Sequence, residues 1–175
     1  KESYVAESTK QLKTALVMHM YFPDLVEECY HYAQSMPDNA DIYITTNSEE
    51  KKQNILKIFR NLTCNKLDVR VVPNCGRDVG PFLVEFKDHL MDYDLICHTH
   101  DKKVGQLKPG SIGASFSYRC FENVLKSKQF VENIMQTFAE NERLGILMPP
   151  PPNHGPYYIT LGLEWGMNFG VTKEL

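Results

Sequence analysis

Two short stretches concentrate the residue types that do chemistry. The first is Asn74-Cys75-Gly76-Arg77-Asp78-Val79-Gly80-Pro81. Gly76 and Gly80 permit unusual backbone angles and close ligand approach. Arg77 offers a planar fork that matches a phosphate or carboxylate. Asp78, beside it, can accept hydrogen bonds from a ribose or sugar hydroxyl. Asn74 opens the stretch, and Pro81 suits the first turn of a helix, whose N-terminus favours an anion. The bland alternative is an Arg77–Asp78 pair that only braces a turn. Neither the G-x-G-x-x-G fingerprint nor the phosphate loop G-x-x-x-x-G-K-[ST] is present.

The second stretch is His98-Thr99-His100-Asp101-Lys102-Lys103. It reads as a loop leaving a strand. His98 and His100 point to the same side if the strand continues, because side chains alternate. With Asp101 they make a candidate metal set. The alternative is a diphosphate held by Lys102 and Lys103. A solvated polar turn with one structural histidine is the bland reading. His19 sits inside an apolar run, where a lone histidine is more often a satisfied core residue than a ligand. Thr45-Thr46-Asn47-Ser48 reads first as a helix cap. There is no G-x-S-x-G nucleophile elbow, and Cys75 has no histidine near it in sequence.

The elements that must position these residues alternate. Residues 14–22 form a near-continuous apolar run, as in a strand buried on both faces. Asp24, with Glu27 three residues on, predicts a helix start, and Val26, Cys29, Tyr30 and Ala33 then share a face. Residues 41–46 predict a second strand, and Asn47 caps the next helix. Ile55, Ile58, Phe59 and Leu62 give that helix a buried stripe. Strands follow at 67–72 and 94–98. Residues 104–115 read as a Gly/Ser loop. Helices follow near 116–126 and 128–140, the second capped by Ser127. Residues 144–148 predict a fifth strand before Pro149. This order predicts a single α/β domain over 1–175, a three-layer α/β/α sandwich with a mostly parallel central sheet. In such sheets ligands bind beyond the carboxyl ends of the strands, where the polar loops fall.

Composition narrows the classes further. The 175 residues carry 19 Lys plus Arg against 22 Asp plus Glu, a formal charge of −3. That balance argues against nucleic-acid binding, which needs a basic face. Hydrophobic residues at 42% argue for an ordered globular domain. No apolar run reaches the roughly 18–20 residues of a membrane span. The five cysteines are irregularly spaced, with no C-x-x-C, which fits a reducing cytoplasmic compartment. The first residue is Lys, so the chain reads as a fragment of a longer protein.

The motifs together resemble one family. Asn74 to Pro81 is similar to the N-x-G-R-D-x-G-P motif of the rhamnan synthesis protein F family. Tyr93 to Lys103 resembles its second motif, which reads like H-x-K-K. Val17 to Leu25 resembles its H-x-Y-Y-x-D-L start, and Leu144-Gly145-Ile146 before Pro149 also fits. The resemblance covers roughly residues 14–170, in order.

The resemblance implies a GT-A-like nucleotide-diphospho-sugar transferase fold and a glycosyltransferase activity. A sugar, with dTDP-L-rhamnose the expected donor, would pass to a growing bacterial cell-wall or surface polysaccharide. The acceptor would be a glycan or lipid-linked glycan. The expected location is cytoplasmic, at the inner face of the membrane, with any peripheral association made by parts outside this chain. The nucleotide-sugar would meet His19, Thr45, Thr46, Asn74, Gly76, Arg77, Asp78, Gly80, Lys102 and Lys103. The loop that normally carries D-x-D carries His98-Thr99-His100-Asp101 here. This leaves Mg²⁺ or Mn²⁺ on His98, His100 and Asp101, or metal independence through the two lysines, as equal alternatives. Candidates for the catalytic base are Asp78, Asp101 and Glu164. Two further readings remain at this point. One is a non-catalytic nucleotide- or sugar-binding module of a larger synthase. The other is a metal-dependent hydrolase.

Overall fold

The computed structural model describes residues 12–103 and 111–149. Four parallel strands form one sheet in the order β3-β2-β1-β4. They are β1 (Thr14–His19), β2 (Asp41–Thr46), β3 (Lys66–Val71) and β4 (Leu95–His100). A short 3₁₀ turn, Pro23–Leu25, leads into α1 (Val26–Ala33), and α2 spans Glu49–Phe59. A π-helical turn, Pro81–Glu85, precedes the short α3 (Lys87–Leu90). The helices α4 (Ser111–Glu122) and α5 (Lys128–Glu140) follow β4. The chain is thus an α/β protein with an all-parallel central sheet flanked by helices.

β1 and β2 are wholly buried, as their apolar runs require. Side-chain alternation sorts each strand between two cores. Leu16, Met18, Ile42, Ile44 and Val69 join Val26, Cys29, Ile55, Phe59, Phe121 and Met135 on the thicker face. Ala15, Val17 and Tyr43 join Phe86 on the other, with Phe82, Leu90 and Ile96 packed against them. The large side chains of β1 face the thick layer and its smaller ones face the thin layer.

Several local expectations change. Asp24 does not cap α1. Its N-cap is Leu25, without a side-chain bond, and Asp24 instead pairs with Lys103. Ser48, not Asn47, caps α2, while Asn47 Oδ1 accepts from Lys51 Nζ at 2.6 Å. The Ser127 cap of α5 forms as expected. On α1 Tyr32 is buried and Tyr30 only half-buried. Residues 111–115 are helical rather than loop, and 104–110 lie outside the described residues. Residues 144–148 form no strand. They run unpaired beside a hollow of about 800 Å³, bounded also by β4, α4 and α5, and Ile146 and Met148 are exposed.

Phe59 is fully buried, whereas Met91 is 92% exposed. Phe59→Ala is expected to cost about 3–5 kcal/mol of unfolding free energy. Met91→Ala should change it by less than about 0.5 kcal/mol. Urea unfolding of both variants checks the contrast.

Candidate functional site

The register of the sheet assembles the site. His19 of β1 lies opposite Thr45 of β2 and His100 of β4, and Thr45 lies opposite Arg70 of β3. One row across the carboxyl edge therefore reads Arg70, Thr45, His19, His100. Alternation puts these side chains on the thin face, and His98 follows one step below, opposite Val17. β4 runs on through Thr99 and His100, two residues past the expected strand end at His98, so these residues belong to a strand rather than a loop. Pairing with β1 overrides their polar character.

Each member of the row has a partner. His19 Nδ1 lies 2.8 Å from Thr45 Oγ1. The His98 ring stacks on Phe82, with centroids 4.2 Å apart. Arg70 bonds Asp68 Oδ2 at 2.9 Å and Glu85 Oε1 at 3.1 Å, which ties β3 to the π-helical turn. His100 Nε2 approaches Asp78 Oδ2 at 3.9 Å, and His100 Nδ1 lies 2.8 Å from the Asp101 carbonyl oxygen. Asp78 thus brings its loop to the strand ends. Burial lowers the His19 pKa below the ordinary imidazole value, with the Asp78 charge pulling the other way. Burial lowers His98 in the same way, and Asp78 again opposes it. His98 Nε2 is buried without a hydrogen-bond partner.

The loop that carries Asp78 is a compact turn. Gly76 and Arg77 both take left-handed angles, φ +73° and +52°. For Arg77 that conformation costs about 1–2 kcal/mol. The Gly80 amide donates to the Gly76 carbonyl at 2.9 Å. A Cβ on Gly80 would meet the Cys75 carbonyl oxygen at 2.4 Å. One on Gly76 would meet Gly80 Cα at 2.8 Å. Both glycines are needed for this contact. Asn74, Cys75 and Arg77 are exposed, and Arg77 has no ion pair among the described residues.

Other expected site residues are placed differently. Asp101 is 5% exposed, and its Oδ2 accepts from the Tyr21 amide at 2.8 Å and the Phe22 amide at 2.6 Å. Burial nevertheless pushes its pKa up to about 6, against those two amide bonds. Asp101 therefore anchors the turn after β1 through Oδ2. With His98 on Phe82 and His100 beside Asp78, the three do not form a ligand set. Among the described residues no group of three or more His, Cys, Asp or Glu gathers as metal ligands would. Thr46 is buried with Oγ1 unpartnered, on the face opposite Thr45. Lys102 Nζ sits 4.3 Å from the centre of the Phe116 ring. Lys103 pairs with Asp24 and lies over Phe22. Glu164 lies outside the described residues.

Two residues escaped the sequence reading. Lys51 Nζ lies 4.0 Å from the centre of the Tyr21 ring. Together with Asn47 and Asp101 it clamps the turn after β1. Asn47 and Lys51 stand at helical i, i+4 spacing, but no spacing rule links them to Tyr21 or Asp101. Only the fold brings them together.

A row of polar groups lies at the carboxyl edge of a parallel sheet with a glycine turn beside it, the edge at which α/β proteins of this architecture bind their ligands. The family described as rhamnan synthesis protein F matches residues 2–175, and the chain belongs to that family. No curated protein and no solved structure matches the chain. Among the described residues no helix is long and apolar enough to cross a membrane.

Two predictions follow from this geometry. Gly80→Ala should lower stability by about 1–3 kcal/mol, because the clash is with backbone. Gly145→Ala, where an added Cβ meets nothing within 4 Å, should be neutral. Paired thermal melts check this. Asp101, whose folded pKa of about 6 lies above the ordinary carboxylate value of 3.8, favours folding most at low pH. Its contribution falls as pH rises through 4 to 6, because the folded state holds the proton more tightly. Asp101→Asn keeps an oxygen for the two amides and loses this titration. Wild type should therefore lose stability relative to the variant across that window, measured by urea unfolding at pH 4, 5, 6 and 7.

Proposed function

We propose that the chain is a glycosyltransferase domain of rhamnan synthesis with a GT-A-like arrangement of its sheet. It takes a nucleotide-diphosphate sugar, with dTDP-L-rhamnose the favoured donor, and passes the sugar to a glycan or lipid-linked glycan. The observation that carries this reading is the Asn74–Pro81 turn. It holds an exposed Arg77, without an ion pair among the described residues, in a strained left-handed conformation next to Asp78, at the carboxyl edge of the sheet. Strain in a non-glycine residue persists where its position serves a ligand. Family membership supplies the polysaccharide context.

The roles divide by charge. Arg77 meets the diphosphate, a bidentate match of fork to phosphate oxygens. Lys102 and Lys103 add positive charge on the far side of His100. Asp78 and Asn74 meet the sugar hydroxyls. Such preorganised cations lower the barrier by stabilising the leaving diphosphate.

Titration calorimetry and thermal melts with dTDP, UDP, GDP and CDP, each with and without Mn²⁺, test the reading. dTDP is expected to raise the melting midpoint most, because it binds only the folded state. Arg77→Ala should weaken its Kd about tenfold, equivalent to about 1.4 kcal/mol. A requirement for Mn²⁺ would give the diphosphate charge to a cation. A shift without it would leave that charge to Arg77 and the lysines. Binding without any turnover in the full-length protein would favour a sugar- or nucleotide-binding module instead. The absence of a shift with all four nucleotides would refute the donor assignment.

A further inference from the structure

We propose that His100 is the catalytic base of the transfer, its Nε2 taking the proton of the acceptor hydroxyl. The inference rests on the glycosyl-transfer reading above and adds the residue that performs the proton transfer. It starts from one hydrogen bond. His100 Nδ1 lies 2.8 Å from the Asp101 carbonyl oxygen. A carbonyl oxygen only accepts, so Nδ1 carries the hydrogen. Neutral imidazole carries one N–H, which leaves the lone pair on Nε2. The backbone therefore selects the tautomer whose free nitrogen faces the site.

What Nε2 faces completes the argument. Asp78 Oδ2 lies 3.9 Å away. That is too far for a direct hydrogen bond. It is close enough for the carboxylate to stabilise an imidazolium once the proton arrives. A hydroxyl between the two can donate to Nε2 while Asp78 keeps its charge. The Asp101 carboxylate is 5% exposed and holds the Tyr21 and Phe22 amides through Oδ2, so an acceptor reaches the half-buried His100 more readily. The other titratable groups that face His100 are His19 from β1 and His98 on its own strand. Burial holds both toward the neutral form, although the Asp78 charge also acts on each.

The step balances as follows. The acceptor oxygen bonds to the anomeric carbon of the donor. The bond from that carbon to the phosphate oxygen breaks, and its electron pair leaves with the nucleoside diphosphate. The hydroxyl proton goes to His100 Nε2 and then to water.

His100→Asn in the full-length protein separates the roles. The Asn amide can still donate to the Asp101 carbonyl, but no base replaces Nε2. We expect dTDP affinity within about threefold of wild type and transfer from dTDP-rhamnose to glycan lowered by about 10²–10⁴-fold. The residual rate should lose the limb of the pH profile that reports an essential base. Nitrogen-15 NMR of the wild-type imidazoles should show His100 protonated at Nδ1, a readout that needs neither turnover nor the variant. Transfer within tenfold of wild type in His100→Asn, or an Nε2-protonated His100, overturns the assignment and leaves the glycosyltransferase reading intact. Wild type that binds dTDP but transfers from no dTDP-, UDP- or GDP-sugar overturns that reading and the base with it. If His100→Asn does not fold, His100→Gln takes its place in the same assays.

Discussion

The pairing of β1 with both β2 and β4 decides which side chains can meet. It sets His19 level with Thr45 on one side and His100 on the other. A slip of one residue would turn every β1 side chain to the opposite face. Leu16, Met18 and Met20 would then press into the thin layer around Phe86, and Ala15 and Val17 would leave voids in the thick one. Each large residue misplaced costs on the order of 2 kcal/mol of burial. The asymmetry of the two cores thus fixes the register, and the register fixes the row of imidazoles. A site made of polar residues is positioned here by apolar ones.

The carboxyl edge is then closed by two turns of different design. The turn after β1 is held by the buried Asp101 carboxylate and by Lys51 over Tyr21. The turn after β3 has no such anchor. It folds on itself through the Gly76–Gly80 contact, and the π-helical turn behind it is tied to β3 through Arg70 and Glu85. This leaves Arg77 exposed while Asp78 reaches the strand ends. One turn is built to stay closed, and the other presents charge outward.

Much of this frame was legible in the sequence. The alternation of apolar runs with helical stripes gave the parallel sheet, and β2 matches its expected span residue for residue. The strand ends were harder. Thr99 and His100 read as a loop beyond the strand ending at His98 because polarity resembles exposure, yet pairing with β1 keeps them in β4. Asp101 and Thr46 read as ligands beside their neighbours. Period-two alternation already placed each on the opposite face from His100 and Thr45, and that signal could have separated them. Residues 144–148 show the opposite failure. A short apolar run bounded by proline does not itself distinguish a strand from an apolar edge segment. The clamp of Lys51, Tyr21 and Asp101 had no local signature, because it joins three distant stretches of chain.

The electrostatics of the edge follow from where each group lies. Burial disfavours charge, so His19 and His98 are pushed toward neutrality. A neutral imidazole adds little to the binding of a diphosphate but can accept a proton. On the proposed reading positive charge comes from the exposed Arg77 and from Lys102, since Lys103 is paired with Asp24. Asp78 lies between these groups and acts on all three histidines, 3.9 Å from the nearest nitrogen of His100. On that same reading, proton acceptance falls to the sheet edge and anion binding to the loops. The buried carboxylate and the unpartnered His98 nitrogen lower stability. The fold bears that cost at the carboxyl edge, where Thr46 and Thr99 also leave buried hydroxyls unpartnered.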